Sequence, residues 1–377
     1  MNKKGTSADT QRRIRWIDGL RGVGCLCIFF HHFLMGYYPA TYWGTAAESR
    51  IRWGLDTRLA DLPFFFWING NFWVCVYLFI SGMVVANKSL GQETEHKTVY
   101  LLRSFVRRYL TLLLPIFLGE LFMCLGNIAL PNNVIPDLGQ PLSLFQYLKS
   151  TFWSVLFVCD KSVMGSLWTM QAIFLGGLLI LLVRVLFRNK GIQILILLAA
   201  MAGFLQCWKV QEYWYFAPVM AGGIFGILLP LLEKIPLKKC MGSLLLILGC
   251  YLAAYPSGTP AEGWYGILPD SPYGPFFFHF IGAVLFIWGI SVLEVVQRIF
   301  STAPALWLGK ISYPFYVFHI FFIKLSSLAA GWAGAVAESY WVRPAAAAVC
   351  SLGLCLATAY LYSRYADPLW RRVVSKI

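Results

Sequence analysis

Ten stretches of this chain are long and apolar enough to cross a lipid bilayer as helices. They lie at 16–38, 64–86, 103–126, 167–187, 191–209, 213–233, 240–255, 276–298, 306–329 and 343–366. A hydrocarbon core takes roughly 20 helical residues. In lipid every backbone N–H and C=O must be paired within the protein, so only helices and closed barrels span. Runs this long specify helices. The chain has 377 residues, 59% hydrophobic and 13% charged, where a soluble domain carries about 25% charged residues. It has too little polar surface to face water all round. The expected fold is all-α: a polytopic membrane protein of about ten transmembrane helices. One transmembrane domain, 16–366, lies between a basic leader, 1–15, and a tail, 367–377.

Charge sets an orientation. The formal charge is +14, and Lys and Arg concentrate in cytoplasmic connections of membrane proteins. With the N-terminus inside, Lys3, Lys4, Arg12, Arg13, Lys88, Lys97, Arg103, Arg107, Arg108, Arg188, Lys190, Lys234, Lys239, Arg298, Arg371 and Arg372 all fall on inner segments. An even number of spans then leaves both termini cytoplasmic. The leader lacks a small-residue cleavage site after its apolar run, so it reads as retained. Three longer connections, 39–63, 127–166 and 256–275, fall outside and are rich in Pro, Gly, Trp and Tyr. No basic run interleaved with aromatics stands apart from the spans, which argues against nucleic acid. The 10 cysteines include no CxxC pair and sit mostly in apolar runs, as small buried hydrophobes do. No Cys/His spacing fits a metal, and no GxSxG elbow, Walker loop or HExxH is present.

Polar residues inside the spans are the functional candidates, because each is costly in hydrocarbon. RWIDGLRGVGCLCIFFHH opens the first span. Arg21 and His32 are eleven residues apart, close to three full turns, so they share a face about 16 Å long. Asp18 stands one turn before Arg21, where the two can pair. His31 points away from that stripe. The third span starts with Arg103, Arg107 and Arg108, and carries Glu120 in its outer half. Glu120 is expected at the depth of His32, where a carboxylate would orient the imidazole. Ser312, Tyr316 and His319 recur on one face of the ninth span. His279 opens the eighth and reads as interfacial. Gly176-Gly177 and Gly222-Gly223 read as sites of close helix packing.

Taken together these segments resemble the acyltransferase-3 family of integral membrane acyltransferases. The resemblance rests on IDGLRG with Arg21 and the following His32, on the aromatic second span ending in Ser81-Gly82, and on the Arg-rich third span with Pro115. SLWTM, containing Trp168, and LGKISYPFYVFH at 308–319 complete it. Two positions depart from the pattern. Ile173 stands where the family has Glu after its LWT signature, and Thr111 where a further Arg is common. The resemblance implies transfer of a short acyl group, often acetyl, from acyl-CoA to a hydroxyl, commonly on a carbohydrate or glycolipid. It implies no bound cofactor, acyl-CoA being a co-substrate, and a cell-membrane location. His32 is the expected general base, with Glu120 beside it. Arg21, Arg103, Arg107 and Arg108 are the expected contacts for the donor's phosphates. Asp18, Ser81, Trp168, Ser312, Tyr316 and His319 are further site candidates. Two rival readings remain: a transporter or flippase, which also buries charge at mid-membrane, and a non-catalytic family member, prompted by Ile173.

Overall fold

A computed structural model describes residues 14–60, 62–88, 97–130, 142–207, 210–232, 239–258, 263–336 and 341–377. The leader's Lys3, Lys4, Arg12 and Arg13, and Lys234, lie outside the described residues. All regular structure among those described is helical. Ten helices correspond to the apolar stretches: α1 (Arg15–Tyr37), α2 (Gly70–Lys88), α3 (Lys97–Ala129), α4 (Gly165–Leu186), α5 (Lys190–Leu205), α6 (Phe216–Leu232), α7 (Lys239–Ala253), α8 (Pro275–Val292), α9 (Ala303–Leu325) and α10 (Val342–Leu361). Eight of them belong to helices long and apolar enough to cross a membrane; α5 and α7, of 16 and 15 residues, fall short of that length. At 1.5 Å per residue these two reach only about 24 and 22 Å.

Helix ends depart from the apolar stretches where local chemistry intervenes. Residues 64–69 are not in α2; they form a loop around the short turn Phe66–Ile68. The eighth stretch breaks at Leu293, whose extended backbone starts a separate helix, Glu294–Phe300. Beyond α10 the chain stays helical through a π turn and the segment Asp367–Ser375, so the tail is largely helix.

Glycine lets selected helices meet backbone to backbone. A Cβ on Gly22 of α1 would lie 2.4 Å from the amide nitrogen of Gly309 in α9, and one on Gly309 would lie 2.1 Å from the Asp18 carbonyl oxygen. The α2–α6 pair is built alike: a Cβ on Gly82 would lie 1.9 Å from the Val219 carbonyl oxygen, and one on Gly222 1.9 Å from that of Phe79. Between apolar helices in an apolar solvent, close van der Waals packing of this kind is what holds partners together.

The connection 127–166 is more than the surface loop expected from its composition. It contains a helix over 144–157, opened by a capping box in which Ser143 accepts from the Gln146 amide and Gln146 accepts from the Ser143 amide. This segment runs antiparallel along α3. Asn127 donates to the Tyr147 hydroxyl at 2.9 Å, and the Tyr109 hydroxyl donates to the Phe152 carbonyl at 2.8 Å. An apolar helix this short that packs on protein has the character of a re-entrant segment.

The glycine contacts generate a direct test. Gly222→Val forces a branched side chain into the Phe79 backbone and is expected to cost roughly 1–3 kcal/mol or more. Gly353 on α10 has open space at its Cβ position, so Gly353→Ala is expected to be neutral or slightly stabilising. Thermal unfolding of detergent-purified protein distinguishes the two.

Candidate active site

α1 and α9 run parallel and in register. They touch at Gly22 and Gly309, and ten residues further along each helix stand His32 and His319. Their rings are 5.2 Å apart, tilted by 36°. Phe29 and Phe315 pack between the two contacts, with ring centroids 5.7 Å apart. His31 is also 5.1 Å from His32, but it faces elsewhere: its Nδ1 is 2.8 Å from the Ile68 carbonyl oxygen and its ring packs on Tyr42. That contact fixes His31 as a holder of the 64–69 loop, off the stripe.

His319 is 1% exposed. Its Nδ1 bonds the Tyr316 carbonyl one turn back on its own helix. A carbonyl only accepts, so Nδ1 carries the proton and Nε2 keeps its lone pair. That Nε2 is buried and has no hydrogen-bond partner. Tyr316 donates to the Ser166 carbonyl at 2.6 Å, and the Thr169 hydroxyl lies 2.8 Å from its oxygen. The Tyr316 ring is 5.5 Å from His319 and 6.2 Å from Tyr77. The Tyr77 hydroxyl in turn donates to the Arg21 carbonyl. The shared face of Arg21 and His32 is thus lined by Tyr77, Tyr316 and His319. Ser312 lies on the same helix but its hydroxyl is spent on the Gly309 carbonyl at 3.0 Å. Asp18 presents its backbone to Gly309.

The three arginines of α3 do not form one cluster. Arg103 and Arg107 are exposed, whereas Arg108 turns inward. Its Nη2 donates to the Ile173 carbonyl at 2.5 Å and lies 3.5 Å from the Ser81 hydroxyl. The guanidinium lies across Gly177, where a Cβ would be 2.2 Å from Nη2. Its Nε is buried without a partner. Ile173 sits in a π turn, Ala172–Gly176, a deformation frequent at functional sites. The position that departs from the family pattern therefore meets Arg108, and meets it with a backbone carbonyl instead of a carboxylate.

Glu120 corrects an expectation. It is 1% exposed, but it does not orient His32. Its two oxygens accept from Ser150 at 2.7 Å and Thr151 at 2.5 Å. Both donors come from the 144–157 segment, so the carboxylate holds that segment against α3. His279, at the start of α8, is fully buried within the protein. Its Nε2 donates to the Tyr255 carbonyl at 2.8 Å and its Nδ1 accepts from Asn71 at 2.8 Å. Asn71 accepts from the Tyr215 hydroxyl, and Tyr215 packs on Trp168 with ring centroids 4.4 Å apart. Periodicity did not single out Asn71 and Tyr215; the signal in the sequence is the pair of amides, Asn69 and Asn71, at the mouth of the apolar second span.

These features define a polytopic membrane protein with a cluster of imidazoles and tyrosines where its first and ninth helices meet. Residues 14–362 match the acyltransferase 3 family model, described as an acyltransferase domain. The chain belongs to that family. It is also similar to Acyltransferase R4 of a Phoma species, 29% identical over 82 residues, or 20% of this chain and 18% of that protein. The match thus spans less than a fifth of that relative's length. No solved structure matches.

Thr151→Val removes one donor from a buried carboxyl group while keeping volume. Leaving that oxygen unsatisfied is expected to cost roughly 1–3 kcal/mol, seen as a lower thermal midpoint.

Proposed function

We propose that this protein is a membrane O-acyltransferase that moves a short acyl group, acetyl in the simplest case, from acyl-CoA to a hydroxyl of a carbohydrate, glycolipid or related acceptor. The observation that supports this best is the polar line on α1. Arg21 lies at one end, and His32, facing His319, lies about 16 Å further along the same helix. An extended donor has its phosphates at one end and its thioester at the other, and this line accommodates both. Arg21, with the exposed Arg103 and Arg107, supplies the phosphate end; guanidinium forks pair well with phosphate oxygens. Arg108 holds the π turn of α4 through the Ile173 carbonyl.

At the other end His32 acts as general base. It takes the proton of the acceptor hydroxyl as that oxygen attacks the thioester carbon. The tetrahedral intermediate collapses with cleavage of the C–S bond, and the thiolate of CoA leaves and recovers the proton from the imidazolium. Basic residues on the connections support an orientation in a cell membrane with both termini cytoplasmic, on the donor's side.

His32→Ala is expected to lower acyl transfer by about 10²–10⁴-fold, the range of general-base contributions, while acyl-CoA affinity stays within a few fold. Arg21→Ala and Arg107→Ala are expected to weaken acyl-CoA binding instead. Single-turnover transfer and calorimetric titration of purified protein with acetyl-CoA separate these outcomes. Substrate flux in vesicles without acyl transfer would point to a transporter. For orientation, Thr98→Cys is expected to react with an impermeant maleimide only after the membrane is opened.

A further inference from the structure

The base assigned to His32 leaves a second imidazole without a task. His319 Nε2 holds a lone pair, is buried, and has no hydrogen-bond partner, while its Nδ1 proton is committed to the Tyr316 carbonyl. A buried acceptor left empty is costly, so something in the working complex donates to it. The reacting hydroxyl does not, because its one proton goes to His32. His32 itself stands ring to ring at 5.2 Å, so the donor to His319 sits directly beside the reacting oxygen.

We propose that His319 is a specificity-determining residue that accepts a hydrogen bond from a second hydroxyl of the acceptor, on the carbon next to the one being acylated. The preferred acceptor is then a vicinal diol. This rests on the acyltransferase reading and on His32 as its base. Hydroxyls on adjacent carbons lie within hydrogen-bonding distance of each other, so two such groups reach two nitrogens on facing rings. No bond to His319 is made or broken: its Nε2 only receives a hydrogen bond, and the acylated oxygen loses its proton to His32. The surroundings favour this arrangement. Tyr316 donates to the Ser166 carbonyl and His31 is engaged by Ile68, while the His319 Nε2 lone pair is uncommitted on the ring that packs beside His32.

The test uses purified full-length protein, acetyl-CoA, and two matched probes, cyclohexanol and cis-1,2-cyclohexanediol. Thiol release above the water-only rate is measured, with the ester confirmed by mass spectrometry. The wild-type protein is expected to turn over the diol, per hydroxyl, about two- to twelvefold faster, the range of one net hydrogen bond. In His319→Phe that ratio is expected to fall to near one, with acetyl-CoA affinity within twofold of wild type. His319→Gln retains an acceptor oxygen, so it is expected to keep part of the preference and serves if the Phe variant does not fold. Equal rates per hydroxyl with the two probes in the wild type, including no stimulation by either, would overturn the proposal, as would a preference that survives in His319→Phe. A wild-type protein that fails to bind acetyl-CoA at all would instead sink the acyltransferase reading, so the two failures are distinguishable.

Discussion

Contact between the backbones of α1 and α9 is the constraint on which the imidazole pair depends. Gly22 and Gly309 remove the side chains that would hold the helices apart. With the axes this close and parallel, residues at equal distances beyond the contact meet. Phe29 reaches Phe315, and His32 reaches His319. A bulkier residue at either glycine would separate the helices along their length, and the imidazole pair would open with them. The site is therefore set by a packing event about 15 Å away, ten residues of helical rise. Interior packing is dense enough to transmit such a shift without absorbing it.

Around this pair the protein satisfies its buried polar groups unevenly. Glu120 has two hydroxyl donors, and His279 has a partner on each nitrogen. These are closed arrangements that hold neighbouring elements in place. His319 Nε2 and Arg108 Nε are different, because each is buried with nothing bound to it. In a low-dielectric interior an unpaired polar atom is the expensive case. One lies beside His32 and the other belongs to the guanidinium that holds Ile173.

Much of this was legible before folding. The length of the apolar runs determined an all-helical membrane protein, because lipid permits few other solutions. Helical periodicity determined that Arg21 and His32 share a face and that Ser312, Tyr316 and His319 share another, since both patterns are local to one helix. The motifs that pointed to the acyltransferase family were sequential as well, and the family match over 14–362 bears them out.

What the tertiary structure alone decided is which faces meet. Glu120 was expected beside His32, yet its partners come from Ser150 and Thr151 in a connection that composition marked as a loop. His279 was expected near the interface at a helix start, and only the fold supplies its partners, Asn71 and Tyr255. Arg108 looked like its neighbours Arg103 and Arg107, and only the close approach of Gly177 shows that it turns inward. The chain states rotation about each helix axis through its periodicity, but it does not state which helix lies alongside. That choice depends on contacts between residues hundreds of positions apart, such as Gly22 with Gly309, and no local pattern encodes them.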